Sequence, residues 1–447
     1  MRLISCILNL GYCLFLAVVS PVIIYRVLVL KKYRSGWDQK FLGSLPVRDS
    51  PKPCFWFHAV SVGEVLQLPP LLEELESQNP GVEFVISTTT HTGYSVASEK
   101  FPQHTICYYP LDFSWAVTRA LQRVRPTAVF LVEMEFWPNF VLAADRLKVP
   151  ISIINGRLSE NSFRGYQKIR PLIRPLISRL HLIAVQTKTY ADRFADLRGN
   201  SQGIHVTGSI KFDGIQIERN HPLTDELRNT FQLKSSESVL VVGSTQSPEE
   251  RIALDVYLEA RKRYPQLRLI LVPRHQERFE EVAGIVKRYG LPLIRRSHRS
   301  RDDLGSVLPF STSDKPAICL LDTLGELKAC WGLAEFAFVG GSLTKRGGQN
   351  MIEPAGFGAA VMFGPNTWNF KDVVDALIQH RAATVVQDQE ELLDTLTGWL
   401  EDPESARNQG KRAQEFVLNQ RGATTRTVEL IVPLAVSSKD SSCDRAA

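Results

Sequence analysis

Short apolar runs alternating with longer amphipathic stretches constrain this chain more than any other feature. The runs 55–60, 84–87, 128–132, 151–154 and 182–185 are apolar on both alternating faces, which is what a strand buried between two helix layers requires. Between them, 66–78, 116–124 and 190–197 repeat their apolar residues at helical spacing. Strand–helix–strand repetition of this kind builds a parallel sheet. A second series follows, with strands predicted at 239–242, 269–272, 318–321, 336–339 and 360–363 and helices at 248–264 and 278–289. The polar stretch 214–230, which holds Arg219, Asn220, His221 and Pro222, separates the two series. At 447 residues the chain exceeds what one hydrophobic core serves. Two doubly wound α/β lobes are therefore expected, 31–218 and 219–433, with a segment 1–30 before them and a polar tail 434–447 that should fray. The Arg-, Ser- and Asp-rich stretch 295–315 reads as a surface loop of the second lobe.

Residues 3–25 are almost wholly apolar, broken mainly by Ser5, Asn9, Ser20 and Pro21. As a helix they reach about 34 Å, enough to cross a hydrocarbon core of about 30 Å. Arg26, Lys31, Lys32 and Arg34 follow where a cleavage site would otherwise stand. Basic residues stay on the cytoplasmic side, so the segment predicts an uncleaved single-pass membrane anchor with both lobes in the cytoplasm. The other reading is a helix that lies on the membrane or packs on the body. A net charge of +6 is too modest to call for nucleic acid, though it suits anionic lipid or phosphorylated ligands. Seven cysteines without a C-x-x-C pair point to reduced thiols rather than a disulfide framework or a zinc site.

There is no Walker loop, no G-x-G-x-x-G after the first strand and no H-E-x-x-H, which disfavours nucleotide triphosphate hydrolysis and hydride transfer. Ligands of doubly wound sheets sit beyond the carboxyl ends of the strands, beside helix N-termini. After the first strand comes His58-Ala59-Val60-Ser61-Val62-Gly63-Glu64. Glu64 either accepts a proton from an attacking hydroxyl or closes a capping box with Ser61. Glu133 and Glu135 follow the strand 128–132 and cannot both enter an apolar layer without cost, so at least one should face a cleft. Asn155-Gly156-Arg157 ends the next strand, its guanidinium either gripping an anion or forming a surface ion pair. Lys211 stands near the hinge.

In the second lobe, Arg274 and His275 follow a strand and place a fixed cation beside a titratable ring. The run 340–350 carries four glycines with Lys345 and Arg346, which suits close backbone approach to an anion. Thr323-x-x-Glu326 and Asn350-x-x-Glu353 are capping boxes whose glutamates could instead accept ribose hydroxyls.

In their order, the motifs at 58–64, 133–139, 155–159, 207–213, 273–275, 325–327 and 340–353 resemble the Kdo transferases of lipopolysaccharide synthesis, over about residues 56–372. The resemblance implies two Rossmann-like lobes of the GT-B type behind a membrane-anchor helix. It also implies inverting transfer of 3-deoxy-D-manno-octulosonic acid (Kdo) from CMP-Kdo to a lipid A precursor (lipid IVA), on the cytoplasmic face of a bacterial inner membrane, with no metal and no cofactor. It makes Glu64 the general base, with Glu133 or Glu135 and Lys211 stabilising the transition state. It assigns nucleotide contacts to Arg274, His275, Gly325, Glu326, Asn350 and Glu353, with Leu324, Leu327, Met351 and Ile352 beside them. Departures from the family pattern are Gly156 for a usual Ala, and Gln349, Met351 and Ile352 for a usual His, Pro and Leu. On this view the carboxylate of the first lobe and the cationic cradle of the second share one cleft. Two rival readings stand beside it, a UDP-sugar-dependent GT-B transferase or epimerase and a membrane-tethered binding protein without catalysis.

Overall fold

A computed structural model of the chain describes residues 2–28, 35–298 and 317–434. Most of the predicted loop 295–315 and the tail from 435 lie outside the described residues. The chain divides into two compact units, Met1–Gly214 together with the chain from Arg421 on, and Ile215–Gln420.

The first unit holds seven parallel strands, β1 (Cys54–His58), β2 (Glu83–Thr88), β3 (Thr105–Tyr108), β4 (Ala128–Val132), β5 (Ile151–Gly156), β6 (Leu182–Val185) and β7 (Ile204–Val206), in the order β3-β2-β1-β4-β5-β6-β7. Both faces of this sheet are covered, and the period of two sorts its side chains between two cores. Trp56, Val129, Leu131 and Ile153 enter one core, whereas Phe55, Phe57, Phe130 and Ile154 enter the other. The register β1–β4, with Phe57 beside Phe130, stacks their rings 4.9 Å apart. The second unit repeats the plan with β8 (Ser238–Thr245), β9 (Leu267–Pro273), β10 (Leu293–Arg295), β11 (Ile318–Leu320), β12 (Phe336–Val339), β13 (Ala360–Phe363) and β14 (Ala383–Val385), in the order β10-β11-β9-β8-β12-β13-β14. Chain order reverses between β1 and β4 in one sheet and between β8 and β12 in the other, so loops after those four strands frame each unit's crevice.

The ten predicted strands all form. The four that the sequence reading passed over, β3, β7, β10 and β14, are three or four residues long and partly exposed, hence without an apolar run on both faces. The boundary falls within the polar stretch 214–230, the second unit starting at Ile215 rather than 219 and holding the helix Pro222–Thr230.

The larger correction concerns the end of the expected second lobe, 219–433. The helix Ala423–Ile431 returns to the first unit, where Ala423, Val428 and Ile431 join the core of Phe55 and Phe57. Asp213 secures the return by accepting the Gly422 N–H at 2.7 Å and the Thr424 N–H. Helical periodicity reports that a face is buried but not which core buries it.

Candidate active site

The short helix Val62–Val65 follows β1 and carries Glu64. Its carboxylate accepts the Val60 N–H at 2.7 Å and the Ser61 hydroxyl at 2.8 Å. The expected capping box is thus half built, because Ser61 donates to Glu64 and caps no backbone N–H with its own oxygen. Burial raises the Glu64 carboxyl above its ordinary range against the pull of these donors, and the charge of Glu133 adds to the rise.

Beyond β4, Glu133 adopts a left-handed backbone with φ of 61°. Its Oε1 accepts Lys211 Nζ at 3.1 Å and Gln67 Nε2 at 3.4 Å. Glu135 is pushed up to about 7 by burial first, then by the charges of Glu64 and Glu133. All four residues expected to act in the first lobe, Glu64, Glu133, Glu135 and Lys211, therefore share one electrostatic neighbourhood at the switch point of the first sheet. Glu133 is the carboxylate paired with the lysine, while the charge of Glu135 is felt by Tyr109 and Tyr166.

Sequence reasoning missed what holds this group. Gln67 is buried, donating to Gly63 O at 2.9 Å and accepting Asn155 Nδ2 at 2.6 Å. Asn155 in turn accepts the Ile210 N–H at 3.2 Å through Oδ1 and so fixes the turn that presents Lys211. Gln67 sits in an amphipathic stretch with nothing to set it apart. Only the fold shows that its amide spans three segments. His58 has a structural part, since its ring stacks on Tyr109 at 3.6 Å, Nδ1 meets Ser87, and burial lowers its pKa to about 3.

In the second unit, Arg274 and His275 leave the end of β9 with exposed side chains. Glu353 accepts Asn350 Nδ2 at 3.1 Å, and Asn350 Oδ1 accepts the Ile352 N–H at 3.0 Å. Burial pushes the Glu353 carboxyl up, whereas the charges of Lys328 and Arg274 pull it down. The structure thus gathers Arg274, Lys328, Asn350 and Glu353. Leu324 is exposed beside Gly325, whose φ is +84°, and half-buried Leu327 opens the next helix. Glu326 is already engaged. Arg296 bonds both of its oxygens at 2.9–3.2 Å while also reaching Glu226 at 2.6 Å, and Thr323 donates to it. Although burial opposes it, these donors hold Glu326 below the usual carboxylate range. Met351 and Ile352 are fully buried. Their side chains are core, so a nucleotide contact there would use their main chain.

The glycine-rich run also departs from expectation. Its first amides already hold an anion that belongs to the protein. The carboxylate of Glu249, 1% exposed, accepts the N–H groups of Gly341 at 2.7 Å, Ser342 at 3.0 Å, Leu343 at 3.1 Å and Gln246 at 2.8 Å. Gly340 allows this approach, because a Cβ there would lie 2.9 Å from Glu249 Oε2 and 2.7 Å from Ser244 O. Beside it, buried Glu250 pairs with Arg278 at 2.5 and 3.1 Å and accepts the Thr245 hydroxyl at 2.6 Å. Acidic residues opening a helix after a strand were the available signal.

Two parallel sheets with polar loops at their switch points define a two-lobed α/β protein of the GT-B type. A UDP-GlcNAc 2-epimerase from Neisseria meningitidis shares this fold, with a TM-score of 0.56 at 15% identity over 86% of this chain and all of that one. Residues 35–214 match the family model described as 3-deoxy-D-manno-octulosonic-acid transferase (kdotransferase). The 3-deoxy-D-manno-octulosonic acid transferase of Haemophilus influenzae is 31% identical over 94% of this chain and 97% of its own length. That of Bordetella pertussis is 31% identical over 84% of this chain and 86% of its own. The chain belongs to the Kdo transferase family, and it is a glycosyltransferase.

Proposed function

We propose that this glycosyltransferase takes Kdo from CMP-Kdo and passes it to a lipid A precursor at a membrane surface, using Glu64 as base and the second unit as donor site. In this scheme a sugar hydroxyl of the acceptor gives its proton to Glu64. The oxygen forms a bond to the anomeric carbon of Kdo as the bond from that carbon to the CMP phosphate breaks, the electron pair leaving with the phosphate. One such displacement inverts the anomeric centre. Arg274 and Lys328 supply fixed positive charge for the departing phosphate, and Asn350 and Glu353 are polar partners for the nucleoside. Lys211, neutralising Glu133, limits the negative charge that accumulates around the reacting hydroxyl.

The observation that carries this reading is the Glu64 carboxylate, fixed by two donors and raised by burial, within a set of acidic residues at a sheet switch point. Membrane attachment rests on α1 (Arg2–Leu28), which includes the apolar stretch Ile4–Pro21. An inner-membrane location with cytoplasmic lobes is the corresponding proposal. Likeness to the epimerase is one of fold and gives no support for a UDP-sugar. The test is incubation of the purified protein with CMP-Kdo and a lipid A precursor, with the product weighed. A mass gain of one or more Kdo residues is expected. Unchanged acceptor in the presence of folded protein would remove the proposal, and turnover of a UDP-sugar instead would replace the donor.

A further inference from the structure

The helix α1 has two unlike faces. Ser5, Asn9 and Tyr12, spaced i, i+4 and i+7, form one stripe, and this stripe is docked on the first unit. Asn9 donates to Ser114 Oγ at 2.8 Å and accepts the Ser114 N–H at 3.0 Å and Asn139 Nδ2 at 3.2 Å. The Tyr12 hydroxyl donates to Asp112 Oδ2 at 2.8 Å, its ring meets Phe113 edge-on, and Ser5 is buried. Ile4, Ile7, Leu10, Leu14, Phe15 and Val18 are each 50–78% exposed. At 3.6 residues per turn they occupy about 140° of arc on the opposite side.

These contacts are incompatible with a helix that crosses the bilayer away from the body. With the basic residues that follow α1 at the body's face of the membrane, Asn9 and Tyr12 would stand about 24–28 Å farther along the axis, near the far side of a core of about 30 Å. The chain after α1 is docked beside the same place, since the Leu111 N–H donates to Lys40 O at 2.8 Å and Trp115 Nε1 to Phe41 O at 3.0 Å. Adjacent residues of one surface, 111–115, therefore hold both the inside of the apolar stretch, at Asn9 and Tyr12, and the chain beyond it, at Lys40 and Phe41. A helix that crosses the bilayer cannot set the inside of its span against the surface on which the chain beyond it is docked.

We propose that α1 is an in-plane anchor, its apolar face lying in the hydrocarbon of one leaflet while the stripe Ser5–Asn9–Tyr12 fastens the first unit to it. This rests on the membrane attachment proposed above and replaces the expected single-pass span. The latch ends on Asp112, whose carboxylate also accepts the Asn139 N–H at 2.9 Å and the Phe140 N–H at 2.8 Å at the start of the helix Pro138–Arg146. That helix begins three residues beyond Glu135, so the anchor and the acidic loop are built on one support.

The test uses the full chain, with Cys6, Cys13 and Cys443 replaced by Ser, in sealed vesicles of phosphatidylethanolamine and phosphatidylglycerol. Asn9→Cys with Ser114→Cys should be joined by a short bis-maleimide. Arg2→Cys, in the same background, should react with an impermeant maleimide from the side the body faces. Reaction of Arg2→Cys only from the opposite side overturns the inference, as does failure to join the pair in protein that melts like its parent. Protein that floats free of vesicles overturns both this inference and membrane attachment. Kdo transfer to lipid acceptor, followed in the same vesicles, reports separately on the proposed reaction.

Discussion

Val60 and Ser61 use about two of the roughly four acceptor positions of the Glu64 carboxylate, which leaves lone pairs for a substrate proton. Glu64→Gln keeps an oxygen for the Val60 N–H but cannot take a proton at working pH. We expect kcat to fall about 10²–10⁴-fold with little change in melting temperature, read by donor turnover and calorimetry. Retained turnover would leave Glu64 a local fixture and nothing more. Glu135 offers a pH test. Its folded pKa of about 7 exceeds the ordinary 4.5, so the folded state binds the proton more tightly. The stabilisation is complete below 4.5 and is lost as pH rises through about 7. Glu135→Gln should therefore gain on the native protein across that window, with the difference in melting temperature widening in its favour toward alkaline pH. A difference flat with pH would contradict the burial argument.

Among the elements, the turn after β12 shows how a loop can look like a ligand site and yet be shaped by its own protein. Glu249 accepts four amides, more than the single side-chain oxygen of a Gln can serve. In Glu249→Gln each amide left unpaired costs about 1–3 kcal/mol. Chemical denaturation should show that loss in the second unit, and the donor KM should rise as the loop loses its shape. Stability and KM both unchanged would mean that the loop is held by other contacts. The same element-level view explains the missed edge strands. A strand of three residues with one wet face has no pattern to distinguish it from a turn.

At the scale of the molecule, the first unit is closed by a helix taken from the far end of the chain. Deleting residues 421–447 removes the side chains of Val428 and Ile431 from a core they share with Phe55 and Phe57, a loss of about 1.5–3 kcal/mol for each. Hydrogen exchange should then show β1 and β4 losing protection while β8 and β12 keep theirs. Equal loss in both sheets would deny the helix its place in the first unit. Much of this architecture was readable beforehand, because two-faced apolar runs have few other uses, and β4, β6, β12 and β13 fall where the sequence places their runs apart from at most a residue. The candidate residues Glu64, Glu133, Glu135 and Arg274 were likewise legible as polar groups following strands, Glu353 as a capping-box residue opening a helix and Lys211 by its place near the hinge. That the side chains of Met351 and Ile352 are buried was not legible, because adjacency in a motif says nothing of burial. Local order along the chain thus determined the strands, the two series and the polar strand ends, all of which depend on neighbours a few residues apart. Tertiary structure alone decided that Gln67 ties Glu133 to Asn155, that Glu249 fills the glycine-rich turn, that the last helix serves the first core and that Asn9 and Tyr12 dock on residues 112–139. Each of these joins segments distant in sequence, and such contacts are set by shape and hydrogen-bond geometry that no local pattern records.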